Sequence, residues 1–583
     1  MSSFRFESVQ FSLRDIQEWA EQDSQHTNWP VVYLLQNSSQ VYVGETVHAA
    51  KRFQEHLRSG KASMQQAHVI FHDEFNKSAC LNLESQLIAL FSGDAGLRKV
   101  ENLNLGQDRH EFYDKKRYEA YFDEIFEFLH LNGLLSQSAQ SIRNGELFKY
   151  SPFKDLNGEQ SDTVAAIVAS LLRAQSTGNH STYVVQGGMG TGKTIVGVFL
   201  AKLLSDISRS ATANFESLFF DEVSESPFAP FFDPSQSINF EDCSIGLVIP
   251  QQALRKTVKG VVGRTSGLER VKVLTPFEVG LSAENFDLLI VDEAHRLNRR
   301  ANQPSAFLNQ QFPKINTVLF GSDDLSKTQL DWIMAKSRHQ VFLIDPQQSV
   351  RTSDISFGDV QRLIESARDK GRAFTLRTQE RVRNGENYVA FVRDVIAGKR
   401  PEPTKIDPDY FRIFDSLEEM RDAILEKNEM YGLSRLVAGY AWPWTSKRDA
   451  SKYDIEIDGL SLRWNSASET DWLTSQKESA ATEVGSIHTV QGYDLNYAGV
   501  IIGKDLQWDS NRRQMVFSAE NYFDRSARQN NSQLGISFSE EDLLGYVQNI
   551  YSVLLTRGMR GTYVYICDPE LKKWFEECLR VVS

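Results

Sequence analysis

The run VVQGGMGTGKT (184–194) limits the fold more than any other stretch. It fits G-x-x-x-x-G-K-T from Gly187 to Thr194, with an apolar β-branched run before it and a helix-forming run, GKTIVGVFLAKLL, after it. Strand, glycine loop and helix in that order predict a turn at the edge of a parallel α/β sheet. Gly187, Gly188, Gly190 and Gly192 let successive backbone N–H groups curl around a polyphosphate, and the helix N-terminus adds positive potential. Lys193 offers a charge to the β- and γ-phosphates and Thr194 a hydroxyl to Mg²⁺. The competing reading is a glycine-rich turn without a ligand, and the strand and helix on either side weigh against it.

A second run supports the first. FDLLIVDEAHR (286–296) is an apolar strand ending in Asp292 and Glu293. Carboxylates at the C-terminal end of a strand lie on the ligand edge of such a sheet. Asp292 is expected to hold Mg²⁺ through water and Glu293 to polarise an attacking water. Alone, the pair could be a helix start.

At 583 residues the chain is too long for one core. Residues 1–135 read as a first unit: a helical lead-in, a hairpin, then helices near 47–59, 79–91 and 115–131. A polar stretch at 136–149 reads as a linker. From 150 to 368, short β-branched runs alternate with helices, interrupted by a Ser-, Phe- and acid-rich insertion at 204–243. A second series, from AFTL (373–376) to YVYICD, fills 369–583, with an insertion at 442–475 carrying Trp442, Trp444, Trp464 and Trp472. The expected fold class is α/β: a small α+β domain followed by two tandem parallel-sheet domains. For any one of these tryptophans, a core position is favoured over base stacking.

The net charge of −13 argues against bulk electrostatic coating of nucleic acid but leaves room for a focused site. Four scattered cysteines form no C-x-x-C pair, so neither a zinc site nor a disulfide framework is expected. No apolar run of membrane-spanning length and no apolar signal core are present in the sequence, and the cytoplasm is the expected compartment.

Further motifs resemble those of superfamily-one helicases. LNGEQ (156–160) resembles their adenine-reading segment, which places Gln160 on the base. LIDPQQ (343–348) resembles the third motif, with Asp345 and Gln348 near the γ-phosphate. LRTQERVR (376–383) resembles the fourth, with Arg381 reaching the nucleotide. SIHTVQGYDL (486–495) resembles the fifth. VLLTRGMRG (553–561) resembles the sixth, with Arg557 as an arginine finger. Each is weak alone, and an isolated arginine is more often a surface ion pair, but the set occurs in family order. GYAWPW, NIYSVLLTRGMRG and YVYICD are similar to the Schlafen-type helicase-like family. The resemblance implies two RecA-like domains and ATP hydrolysis, with strand separation less secure.

The N-terminal hairpin adds a second theme. VVY (31–33) and YVG (42–44) resemble the paired motifs of GIY-YIG nucleases, one on each strand. The helix behind them carries Arg52 and His56 at i and i+4, on one face. Glu84 follows on the next helix, and Asn102 and Asn104 after it. The resemblance implies that Tyr33 takes or relays a proton, Tyr42 positions water or phosphate, Arg52 clamps the scissile phosphate and His56 assists proton transfer. It assigns Glu84 to one Mg²⁺ or Mn²⁺, with one asparagine as a brace. The sequence departs from the family pattern at Val31, where the first Gly is expected, and at Val32 and Val43 in place of Ile. Tyr in a strand and His on a helix are commonplace, so a degenerate, binding-only domain stands beside the nuclease reading.

Together these readings imply an ATP-dependent nucleic-acid-processing enzyme: a metal-dependent endonuclease tethered to a helicase or translocase motor. Defence against phage or DNA processing fits by analogy. DNA is favoured over RNA as partner, no membrane is expected, and oligomeric state is left open. An ATP-gated nucleic-acid sensor without processive unwinding is the alternative.

Overall fold

The computed structural model describes all residues except 1–3, 59–60, 97–98, 103–111, 211–226, 233–242, 301–302, 304, 347–353, 380–384, 404, 450, 466–471, 473–482, 491–493, 525–536 and 583. It divides into two compact units. One comprises Met1–Val184, Lys193–Asp292 and Ile333–Leu343. The other comprises Val185–Gly192, Glu293–Trp332 and Ile344–Ser583.

The N-terminal sheet contains β1 (Arg5–Gln10), β2 (Val31–Gln36), β3 (Gln40–Thr46), β4 (Gln66–Phe71) and β5 (Lys99–Val100), in the order β1-β4-β2-β3-β5. All pairings are antiparallel except β3 with β5. Helices α1 (Leu13–Ala20), α2 (Ala49–Arg58), α3 (Lys77–Gly93) and α4 (Lys115–Leu131) flank it. The hairpin strands are buried on both faces: one apolar cluster includes Val32, Leu34, Val43 and Leu87, the other Val31, Tyr33, Tyr42 and Phe53. The polar stretch after α4 carries two short helices, α5 (Ala139–Asn144) and α6 (Glu146–Lys149), and Ile142 joins the first of these clusters.

Six strands form the next sheet: β6 (Ser181–Gly187), β7 (Ile245–Val248), β8 (Lys272–Leu274), β9 (Phe286–Val291), β10 (Ser337–Ile344) and β11 (Ala373–Leu376), in the order β11-β6-β10-β9-β7-β8. The pairs β7–β8, β7–β9 and β9–β10 are parallel. Parallel strands covered on both faces read as unbroken apolar runs, as LLIV (288–291) does within β9. Helix α7 (Gly158–Thr177) leads into β6, α8 (Lys193–Ser210) follows the glycine loop, and α9 (Gln252–Arg264) follows β7. The AFTL run, grouped by sequence with the second series, is hydrogen-bonded into this sheet. An apolar run of four residues does not declare which sheet it joins.

The last sheet contains β12 (Phe411–Ile413), β13 (Ser434–Ala438), β16 (Val484–Gly485), β17 (Leu495–Ile502) and β20 (Gly558–Ile566), in the order β12-β20-β17-β13-β16, and its strands are parallel throughout. The hairpins β14–β15 (Ile455–Ile457 and Leu460–Leu462) and β18–β19 (Leu506–Asp509 and Gln514–Phe517) stand apart from it. Trp464 and Trp472 are buried, and Trp442 and Trp444 pack against the same cluster as Trp464. Most of the insertion at 204–243 lies outside the described residues. Among the described residues no helix is long and apolar enough to cross a membrane.

Just beyond β17, Asp505 accepts the Tyr551 hydroxyl at 2.6 Å, and that hydroxyl accepts the Gly503 N–H at 2.9 Å. This anchors the helix Glu540–Leu555, which leads directly to Arg557. Burial pushes the Asp505 carboxyl up to about 7, against the opposing pull of the Tyr551 hydrogen bond. The folded state therefore holds this proton more tightly than the unfolded chain. The contribution is fully favourable below the ordinary carboxylate range and is lost as pH rises toward 7. Replacement by Asn removes that penalty. The stability of Asp505→Asn relative to wild type should therefore rise between pH 4 and pH 7 and level off above, as read by denaturant melts at each pH.

Candidate active sites

The phosphate loop is built by backbone geometry. Gly190 and Gly192 adopt φ of +77° and +79°, a region open to glycine and costly for other residues. At Gly187 a Cβ would lie 2.3 Å from Thr191 Oγ1. Gly188 has open space around its Cα and offers its carbonyl to the Thr191 hydroxyl at 3.0 Å. Lys193 opens α8 and is buried. The Thr194 hydroxyl donates to Asp292 Oδ2 at 2.7 Å. Asp292 lies just past β9, tied to its sheet by its own N–H to the Val248 carbonyl. A hydroxyl and a carboxylate side by side, next to a phosphate loop, form an all-oxygen donor set suited to Mg²⁺.

Glu293 stands in the left-handed region, at φ 49° and ψ 44°. Such strain in a non-glycine residue persists only where its surroundings fix it. His295 Nε2 lies 3.0 Å from Glu293 Oε2. The Asp345 N–H donates to His295 Nδ1 at 3.2 Å. His295 thus stands beside Glu293, a neighbour that the sequence reading did not assign, although its place in the DEAH run was a usable signal. Arg557 is buried, with Nη2 3.9 Å from the Met189 sulfur in the phosphate loop. The Thr556 hydroxyl reaches the same sulfur at 3.5 Å, and the Gln379 amide donates to the Met189 carbonyl. Neither Gln379 nor Met189 was singled out from sequence. Gln160 is buried at the start of α7, where its side chain accepts the Asn157 N–H at 3.1 Å in a capping box. Gln348, Arg381 and residues 491–493 of the fifth motif lie outside the described residues.

The N-terminal set converges on one face of the hairpin. Strand register puts Tyr33 opposite Gly44 and Leu35 opposite Tyr42, so both tyrosines share that face. Gly44 makes room for the Tyr33 ring: a Cβ there would lie 2.4 Å from Tyr33 Cζ. Tyr33 Oη lies 2.7 Å from His56 Nε2, and the Tyr42 and His56 rings are 5.1 Å apart. Burial, reinforced by the cations Lys61 and Arg52, pushes the His56 imidazolium down to about 2. His56 is therefore neutral over the working range. Arg52, one turn before His56, is mostly covered and lies 3.4 Å from Glu55. Lys61 Nζ sits 2.8 Å from the centroid of Tyr42. It adds a second cation that the sequence reading missed, since a lone Lys after the helix carries no pattern.

Glu84 is buried on α3. The Cys80 thiol is pushed well above its ordinary range, by burial first and then by the Glu45 and Glu84 carboxylates, so both carboxylates lie near it. Among the described residues no group of three or more His, Cys, Asp or Glu is arranged to hold a metal ion. One or two carboxylates completed by water and phosphate oxygens suit Mg²⁺ rather than Zn²⁺. Asn102 is the asparagine that braces the hairpin: its Oδ1 accepts the Val43 N–H at 3.1 Å and its Nδ2 donates to the Val43 carbonyl at 2.7 Å. Asn104 lies outside the described residues.

Residues 180–568 match the family described as Schlafen group 3, DNA/RNA helicase domain. Over 314 residues the chain is 30% identical to an uncharacterized protein of Saccharomyces cerevisiae, YPL245W; the match spans 49% of this chain and 64% of the yeast protein, less than two thirds of that relative. Among solved structures, the DUF1998 helicase MrfA bound to DNA and AMPPNP is 7% identical, with 73% of this chain and 53% of that chain covered and a TM-score of 0.27. A DEAD box protein from the hyperthermophile Methanococcus jannaschii is 11% identical, with 73% and 95% covered and a TM-score of 0.21. Neither superposition is close enough to bear on the fold. With two thirds of its length matched from β6 onward, the chain belongs to the Schlafen group 3 DNA/RNA helicase-domain family.

Proposed function

We propose that this chain hydrolyses ATP at the α8 loop to act on nucleic acid, and cuts nucleic acid at the N-terminal hairpin. The observation that carries the ATPase part is the Thr194–Asp292 contact at the mouth of the glycine loop. In this reading Lys193 and the loop amides grip the β- and γ-phosphates, while Thr194 and Asp292 hold Mg²⁺. The metal, when bound, neutralises phosphate charge. Glu293, held by His295, orients the attacking water. Arg557, close to Met189 of the loop, offers its guanidinium to the charge that develops on the transferred phosphoryl group. Gln160 belongs at the base, with Gln348 and Arg381 on the nucleotide.

The observation behind the nuclease part is the buried Tyr33–His56 pair beside Arg52, Tyr42 and Lys61. Tyr33, its oxygen positioned by neutral His56, takes a proton from the attacking water when it is in its phenolate form. The water oxygen bonds to phosphorus and one P–O ester bond breaks. The departing alkoxide takes up a proton. Arg52 and Lys61 stabilise the added negative charge. Glu84 would hold Mg²⁺, which lowers the barrier to water attack when bound. The Schlafen helicase-domain match begins at residue 180, so this part rests on the hairpin geometry and its resemblance to GIY-YIG nucleases.

The two sites fail separately. Lys193→Ala should lower ATP turnover by about 10²–10³-fold; unchanged turnover would remove the phosphate-site reading. Tyr33→Phe should slow Mg²⁺-dependent strand cutting by about 10²–10⁴-fold. Glu84→Ala should abolish cutting with ATP turnover intact, and cutting at the wild-type rate by Glu84→Ala would sink the nuclease claim. Strand displacement on a tailed duplex separates a motor from a nucleotide-gated sensor, which would turn over ATP without displacing a strand.

A further inference from the structure

The N-terminal sheet does not end at β5. Val100 forms a parallel bridge with Thr265, and the Ser266 N–H donates to the Val100 carbonyl at 3.3 Å. The turn carrying Thr265 and Ser266 follows α9, in the α/β part of the same compact unit. Glu101 bridges the two sides. One of its carboxylate oxygens accepts the Gln40 amide at 2.8 Å, and the other accepts the Ser266 hydroxyl at 2.9 Å. Its own N–H donates to the Val41 carbonyl at 2.9 Å. The next residue is Asn102, which holds the Val43 peptide on both sides, between Tyr42 and Gly44.

The far side of the same turn lies on α8. Lys202, Ser205, Asp206 and Arg209 fall on one helical face by their spacing. The Ser205 hydroxyl donates to the Gly267 carbonyl. At Gly267, with φ +88°, a Cβ would lie 2.7 Å from Arg209 Nη1 and 3.1 Å from Asp206 Oδ1. Lys202 and Asp206 form a fully buried ion pair at 2.5 Å. Burial pushes the Lys202 ammonium down, while Asp206 holds it up. Lys99 Nζ lies 3.5 Å from Glu269 Oε1, at the end of the same turn. The path from the hairpin to the helix that opens with Lys193 and Thr194 is therefore continuous.

We propose that Glu101 is a positioning residue that couples α8 to the hairpin. Nucleotide gripped at the head of α8 sets, through the 265–269 turn and Glu101, how firmly Asn102 holds the Val43 peptide. A helix transmits displacement because it is stiff, and Asp206 is roughly 20 Å along α8 from Lys193 at 1.5 Å per residue. The coupling rests on the nucleotide reading of the α8 loop, checked separately by binding of the analogue to wild type, and its consequence for strand cutting rests on the nuclease reading of the hairpin.

Hydrogen exchange of the full chain, with and without a non-hydrolysable ATP analogue and Mg²⁺, reads the coupling at the Val43 amide. In wild type the analogue should change exchange at Val43 and across 99–102 severalfold. Ser266→Ala removes one anchor of Glu101. Glu101→Gln leaves a single acceptor oxygen for two donors. Both variants should bind the analogue as wild type does, with the change at Val43 reduced or lost. Identical exchange with and without the analogue in wild type would overturn the proposal. So would an undiminished change in both variants. If exchange responds as expected but no strand is cut, the nuclease reading fails and the coupling stands.

Discussion

The short bond between the Thr194 hydroxyl and the Asp292 carboxylate ties together the two segments on which the ATP site depends. One is the first turn of the helix after the glycine loop. The other is the end of a buried parallel strand. Each position follows from local chemistry: glycines at φ near +80° turn the chain, and a run of apolar residues drives β9 into the sheet until polar Asp292 and Glu293 emerge at its edge. Displacing either segment would separate a hydroxyl from a carboxylate that together suit a hard cation. The strained backbone of Glu293 and its contact with His295 fit the same logic, with an orienting group held off its relaxed conformation by its neighbours.

The hairpin follows a different principle. Tyr33, Tyr42, His56, Glu84 and Asn102 are all buried, and a buried polar group is costly unless it has a partner. Here Tyr33 and His56 partner each other, and Asn102 partners the Val43 backbone. Burial first, and then the Lys61 and Arg52 charges, hold the His56 imidazole neutral. Gly44 has a steric reason in the same cluster, since the Tyr33 ring occupies the space of a Cβ.

Much of this was legible in the sequence because periodicity and turn chemistry act locally. The glycine loop, the strand ending in Asp292 and the i, i+4 pair Arg52–His56 could each be placed without a structure. Long-range partners could not. AFTL has the composition of any buried strand, and its place beside β6 is decided by tertiary packing. Lys61 reaches Tyr42 from a turn with no pattern of its own. The bonds of Asn102 to the Val43 peptide depend on the register of β3 against β5, and the contact of Glu101 with Ser266 joins residues 165 positions apart.

The central claim is that one chain carries two hydrolytic phosphate sites, one opening the phosphoanhydride of ATP and one the phosphodiester of a strand. The most direct measurement follows inorganic phosphate release and the integrity of end-labelled single- and double-stranded DNA and RNA in one reaction, with wild-type protein, ATP and Mg²⁺. The account predicts that phosphate is released and that at least one of the labelled strands is shortened in the same tube. Phosphate release with every strand intact would contradict it and leave the hairpin as a binding domain on an ATPase.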